Sequence, residues 1–254
     1  MKPFKFFSVI LLVLTMAVSG HALTITVDGN LLDWGLDTSS FEENDNNWDP
    51  GLSGVYVFQE DWVGSGGYVG PGWGDQNYDV EAILVTSDPD FLYLAIATGF
   101  PQYGIKDWDA GDISIDVGAD GSWDYALVIS NYIDGDDSRD EVLGGFYRVS
   151  SWEEVGISEH SVSNPYRMID GTLLGTVDFV YQDDPDHDFA RYFIEASIPL
   201  SYLGYPGKIV VHWTMECGND YGNVEATVPE PASILLVGTA LLLGGAFLRR
   251  RIKS

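Results

Sequence analysis

Hydrophobic positions recur with a period of two over much of the chain. Ile209, Val211, Trp213 and Met215 alternate with Val210, His212, Thr214 and Glu216. Tyr192, Ile194, Ala196 and Ile198 alternate in the same way with Phe193, Glu195 and Ser197. Alternation places one set of side chains on one face of a strand, so both segments are expected to bury one face. Residues 78–87 and 91–98 are apolar on both faces after their starts, as in central strands. Asp88-Pro89-Asp90 between them is turn chemistry and predicts a hairpin. Residues 112–116 and 123–129 flank Val117-Gly118-Ala119-Asp120-Gly121-Ser122, a second predicted hairpin. Further strands are expected at 23–27, 54–59, 144–149 and 172–181. Long helical patterns are missing, and Ser151-Trp152-Glu153-Glu154 would cap one short turn of helix and no more. Short strands separated by Gly, Asp and Pro clusters predict an all-β fold, an antiparallel two-sheet β-sandwich of jelly-roll type.

One stretch breaks the pattern. Residues 41–74 are rich in Asn, Asp, Gly and Trp, and 64–74 is nearly a glycine loop. A long irregular loop in a compact domain is either functional or a flexible surface excursion.

The two ends stand apart from this β pattern. Lys2 and Lys5 precede an apolar run over 6–18, and Gly20-His21-Ala22 puts small residues where a cleavage site needs them. Residues 1–22 are therefore expected to be a secretory signal peptide, removed by signal peptidase. The alternative is a first membrane anchor, which the short run disfavours. At the other end Val228-Pro229-Glu230-Pro231 precedes an apolar run over 232–248, followed by Arg249, Arg250, Arg251 and Lys253. As a helix that run rises about 25 Å, slightly short of a ~30 Å hydrocarbon core. The basic cluster is expected to stay cytoplasmic, so the helix would span the membrane once. The prolines keep the preceding segment extended and open to a protease.

This tail resembles the PEP-CTERM sorting signal of Gram-negative bacteria, with Pro229, Glu230 and Pro231 as the tripeptide and Arg249 to Arg251 as the cluster. The resemblance implies recognition and processing by an exosortase, then delivery to the cell envelope or extracellular matrix, often alongside exopolysaccharide. A permanent single-pass anchor is the alternative. The expected organisation is thus a signal peptide at 1–22, a β-sandwich at 23–228 and a sorting signal at 229–254.

Charge sharpens the picture of the middle segment. The chain carries 12 Lys and Arg against 39 Asp and Glu. Six of the twelve bases lie in the two ends, but only Glu230 among the acids does, which leaves net −32 on residues 23–228. Such a field repels a phosphate backbone and excludes nucleic acid as a partner. An apolar content of 45% with eight Trp excludes a disordered acidic tail. A single Cys excludes a disulfide framework within the chain.

Residues 24–221 also resemble family 9 carbohydrate-binding modules. The likeness is carried by Ile25-Thr26-Val27-Asp28-Gly29-Asn30-Leu31-Leu32-Asp33-Trp34, by Tyr78-Asp79-Val80-Glu81-Ala82, by Phe91-Leu92-Tyr93-Leu94-Ala95-Ile96, and by residues 116–125 and 213–221. It implies a two-sheet antiparallel sandwich, and carbohydrate binding only weakly, because one fold hosts many functions.

Several residues are candidates for chemistry. Trp48, Trp62, Trp73, Tyr103 and Trp108 fall in loops beside Asn46, Asn47, Asp49 and Asp107. Flat rings stack on the apolar faces of sugars while amides and carboxylates bond the hydroxyls. The alternative is that each ring plugs an end of the sandwich. Asp116, Asp120 and Asp124 recur around a Gly-containing turn and suggest calcium, which needs six to eight oxygens. An EF-hand is excluded, because Gly118 and Leu127 occupy ligand positions. A solvated hairpin tip whose aspartates bond their own backbone is the alternative. Asp134, Asp136, Asp137, Asp140 and Glu141 form a second acidic run, and Asp183, Asp184, Asp186 and Asp188 around His187 a third. Calcium is the one cofactor these runs suggest. Cys217 reads as a buried thiol, with intermolecular pairing as the alternative. Nucleophile-elbow, metalloprotease and phosphate-loop motifs are absent, and carboxylate pairs carry no weight where acids are this abundant. The expected protein is a non-enzymatic surface or matrix component that binds polysaccharide. The alternatives are a purely structural surface protein without a small ligand and, more distantly, an exported glycoside hydrolase.

Overall fold

A computed structural model describes residues 23–44, 47–60, 62–130, 141–185 and 187–228. The expected signal peptide and the expected membrane helix at 232–248 lie outside the described residues. Among those described, no helix is long and apolar enough to cross a membrane.

Among the described residues eleven strands form two antiparallel sheets, as the alternation predicts. They are β1 (Tyr56–Gln59), β2 (Ala82–Ser87), β3 (Phe91–Thr98), β4 (Ile113–Val117), β5 (Tyr125–Leu127), β6 (Gly145–Glu153), β7 (Arg167–Thr176), β8 (Asp178–Asp183), β9 (Tyr192–Pro199), β10 (Lys208–Thr214) and β11 (Tyr221–Thr227). A single helical turn, α1 (Leu200–Leu203), follows β9. One sheet runs β1-β2-β3-β9-β8 and the other β11-β10-β4-β5-β6-β7. Their facing sides make the main core. Ile83, Val85, Leu92, Leu94, Ile96, Ile194 and Ile198 pack against Ile113, Ile115, Leu127, Phe146, Ile209, Val211 and Trp213. Fully burying one such side chain contributes roughly 1.5–3 kcal/mol, so this layer dominates stability.

The outer face of the five-stranded sheet is also apolar, which explains why β2 and β3 lack alternation. Ala82, Leu84, Ala95, Ala97 and Phe193 are covered by the N-terminal segment through Ile25, Leu31, Trp34, Leu36 and Trp48. That segment is not the strand expected at 23–27. Its amides bond carboxylates instead of a neighbouring strand: Thr26 N–H donates to Asp33, and Asp28 and Gly29 N–H donate to Glu195.

On the outer face of the six-stranded sheet Ala126, Val128, Tyr147 and Met168 pack together, with Val149 and Trp152 against them. β6 runs through Trp152 and Glu153, so 151–153 of the short helical turn expected at 151–154 is strand, with Trp152 opposite Met168 and Glu153 opposite Arg167. Irregularities in the β6–β7 ladder, the last between Ser151 and Trp152, break its alternation. The buried His212 of β10 reaches the carbonyls of Ser163 and Pro165 in the β6–β7 connection.

Candidate functional site

The loop from 62 to 78 sits across one end of the sandwich and is held by its own backbone. Gly64 N–H donates to Tyr68 O at 2.7 Å, and Gly74 N–H to Gly67 O at 2.7 Å. Gly67 adopts φ 75°, which a side chain would strain. The loop is fastened to the turn between β10 and β11. Gly72 N–H donates to Asn219 O at 2.7 Å, Asn219 Nδ2 donates to Trp73 O, and Pro71 bridges Asp220. A Cβ at Gly72 would lie 2.5 Å from His160 Cε1 and 2.8 Å from Asn219 Cα, so only glycine allows this approach.

Fastened this way, the loop raises a row of rings. Trp73 meets Tyr68 edge to face at 5.5 Å and 89°, and Tyr68 lies 6.3 Å from Trp62. Trp73 is 67% exposed and Trp62 53%. Across from Trp73, a tight turn at Lys106-Asp107 closes on paired bonds between Ile105 and Trp108, at 2.9 and 3.0 Å. The half-buried Trp108 thereby reaches the same place. Trp73, Trp108 and Tyr78 line an open groove of about 560 Å³ with Asp75, Lys106 and Asn219. Apolar ring surface beside an amide, a carboxylate and an ammonium is the composition of a site that takes a polyhydroxylated ligand.

The five aromatic candidates do not form one surface. Trp62, Trp73 and Trp108 come together, joined by Tyr68, which the sequence analysis passed over. Trp48 is a correction: it is 0% exposed, edge-on to Phe41 at 5.0 Å, with the Arg191 guanidinium 5.1 Å over its ring. The reason is the second apolar layer, which needs a large ring over Phe193. Tyr103 is exposed but does not line the groove, and its hydroxyl bonds Tyr192. Asn46 lies outside the described residues.

The aspartates of the β4–β5 turn do not converge on a point. Asp116 accepts from Asp120 N–H at 3.2 Å and Gly121 N–H at 2.8 Å. Asp124 accepts from Val117 N–H at 2.9 Å, and Asp120 from Ser122 N–H at 2.9 Å. These carboxylates hold their own hairpin, the arrangement of an Asx-rich turn. The run at 134–140 and Asp186 lie outside the described residues. Asp184 is engaged with His187 at 2.8 Å.

Carboxylates do converge elsewhere. Ligand oxygens of Glu60, Asp79 and Asp220 lie within 4.8 Å of one another beneath the aromatic loop. Asp220 also accepts from Val80 and Tyr221 N–H, both at 2.8 Å. Burial, then the nearby Glu60 charge, holds its carboxyl well above the usual range. An all-oxygen set suits a hard cation, of whose six to eight ligands three carboxylates supply part. Positions 60, 79 and 220 are so far apart in sequence that no spacing could have announced them.

Comparison with known proteins bears on the tail alone. Residues 227–251 match the model of the PEP-CTERM protein-sorting motif. The motif indicates an exported protein, anchored transiently in the membrane of a Gram-negative bacterium and processed by an exosortase. No curated protein and no solved structure matches the chain. The expected likeness of residues 24–221 to family 9 carbohydrate-binding modules finds no support in either comparison.

Proposed function

We propose that this is a non-enzymatic component of the cell surface or extracellular matrix that holds polysaccharide in the groove between Trp73 and Trp108. The observation that carries this reading is the exposed Trp73, propped edge-on by Tyr68 and facing Trp108 across polar groups. An exposed indole offers a flat ring that the apolar face of a sugar can cover. Export supplies the setting, since the sorting route leads to the compartment where exopolysaccharide accumulates. The leader at 1–22 fits removal by signal peptidase on the way.

A glycan array probed with the exported domain tests the proposal. Wild-type protein is expected to bind a subset of polysaccharides, and Trp73→Ala with Trp108→Ala to lose them. Binding retained by that double variant overturns the reading. A parallel array with a chelator shows whether a cation near Glu60, Asp79 and Asp220 takes part.

A further inference from the structure

The sorting motif does not begin beyond the folded domain but inside it. Its first matched residue, at 227, is the last residue of β11. Thr227 pairs with Lys208, Ala226 with Ile209, and the ladder is unbroken back to Tyr221. Val228 is 2% exposed within the main core, and its N–H donates to Gly207 O at 3.2 Å. Pro229 has no N–H to continue a ladder. No linker separates the sandwich from its tail.

Covalent geometry then sets the distance to the bilayer. The apolar run starts at Ala232, four residues after Val228. A fully extended chain covers at most about 3.6 Å per residue, so Val228 lies within roughly 14 Å of the point where the tail enters lipid. The end of the sandwich that carries Val228 is made by Gly207, Lys208 and the 118–122 turn, since Gly118 N–H donates to Lys208 O. The groove is at the opposite end. Asn219, which fastens the aromatic loop, precedes Tyr221 at the far end of β11. Seven residues of strand separate the two ends by about 20 Å.

We infer that the membrane-anchored protein stands end-on against the bilayer, with Lys208 and the 118–122 turn at the lipid surface and the Trp73–Trp108 groove directed away. The groove is thus open before release as well as after it. Among the described residues the near end offers lipid little positive charge: Lys208 is paired with Glu225 at 2.8 Å, and the domain is strongly acidic. The tail is the tether, and cutting it frees the domain. The inference rests on the anchoring that the motif indicates and is independent of the glycan reading.

The test uses the full-length precursor, made without the processing enzyme and reconstituted in phosphatidylcholine–phosphatidylglycerol vesicles with nitroxide-labelled headgroups. A fluorophore is placed at Lys208→Cys in one variant and at Lys106→Cys in another, while the native Cys217 is buried. Quenching is expected to be at least threefold greater at position 208. A ten-residue Gly/Ser insert between Val228 and Pro229 is expected to erase the difference. Equal or reversed quenching in vesicle-bound protein overturns the orientation. Precursor that does not sediment with vesicles overturns the anchoring itself, and the orientation with it.

Discussion

The indole Nε1 of Trp34 donates to Oε1 of Glu195 at 2.7 Å, with both side chains fully buried between the N-terminal segment and the five-stranded sheet. Oε2 of the same carboxyl accepts from Gly29 N–H at 2.6 Å and Asp28 N–H at 3.1 Å. Burial is the largest influence and outweighs these donors, so the carboxyl is pushed up to about 7 from its ordinary 4.5. A folded-state value above the unfolded one means that the folded state prefers the proton. Its contribution to stability is complete below pH 4.5 and is lost as pH rises through 7. The loss is on the order of 3 kcal/mol. Asp220 and Glu216, also raised by burial, act in the same sense. Melting temperature is therefore expected to fall between pH 4.5 and 7.5. Glu195→Gln should flatten that slope while lowering the acid-side value, because its amide NH2 would face donor N–H groups.

Two tryptophans drawn from the same loop-rich stretch are expected to respond oppositely to truncation. Trp48→Ala removes a core ring and the surface under the Arg191 guanidinium, at a cost of about 3–5 kcal/mol. Trp73→Ala removes an exposed ring and should leave denaturant stability within about 1 kcal/mol, while abolishing glycan binding. Gly72→Ala should behave like Trp73→Ala in binding, since its methyl would push the loop off Asn219. Urea titration beside a binding assay separates these outcomes. A stable Trp48→Ala would show that the outer layer matters less than its packing suggests.

The legible parts of this fold are those where apolar and polar residues alternate, although β9 and β10 bury their second face as well, Glu195 and His212 included, or where a turn is encoded locally. β9 and β10 show in alternation, and the β2–β3 hairpin shows in Asp88-Pro89-Asp90, whose Asp88 accepts from Asp90 and Phe91 N–H. β11 is less legible because Gly222 takes the first position of its buried face, leaving Val224 and Ala226 as the buried side chains, while Asn223 and Glu225 are exposed on the other face. Gly222 is required there by the closeness of Ile83 and Phe58. The N-terminal segment reads as a strand because its alternation is real, but it lies flat on a sheet face. At the site, exposed loop rings were identifiable as a class. Which of them converge depends on Asn219, some 146 residues from Trp73. No local pattern contains that contact.

The β4–β5 hairpin should depend on Asp116 for its shape. Asp116 is 3% exposed and takes two amides of the turn, so Asp116→Asn is expected to cost about 1–2 kcal/mol through weakened charge-assisted bonds. Asp120→Ala, at the exposed tip, should cost less. Because these oxygens are already occupied by N–H groups, the gap in melting temperature between wild type and Asp116→Asn should be the same in millimolar calcium as in sodium of equal ionic strength. A gap that widens with calcium would show that the turn opens to hold the ion.

Cys217 is expected to stay a thiol throughout the life of the protein. It is 1% exposed, lies in the main core from the turn between β10 and β11, and burial pushes its thiol up to about 12. At pH 8 only about one molecule in ten thousand would carry the reactive thiolate, and no reagent reaches it without opening the core. Native protein should therefore resist iodoacetamide for hours, react fully in urea, and show no disulfide-linked dimer on a non-reducing gel. Cys217→Ser should destabilise the protein, since a hydroxyl costs more to bury than a thiol even where the Asn219 N–H can bond it. Rapid labelling of the folded protein would mean that the turn carrying Asn219 opens readily, and the groove it anchors would then open with it.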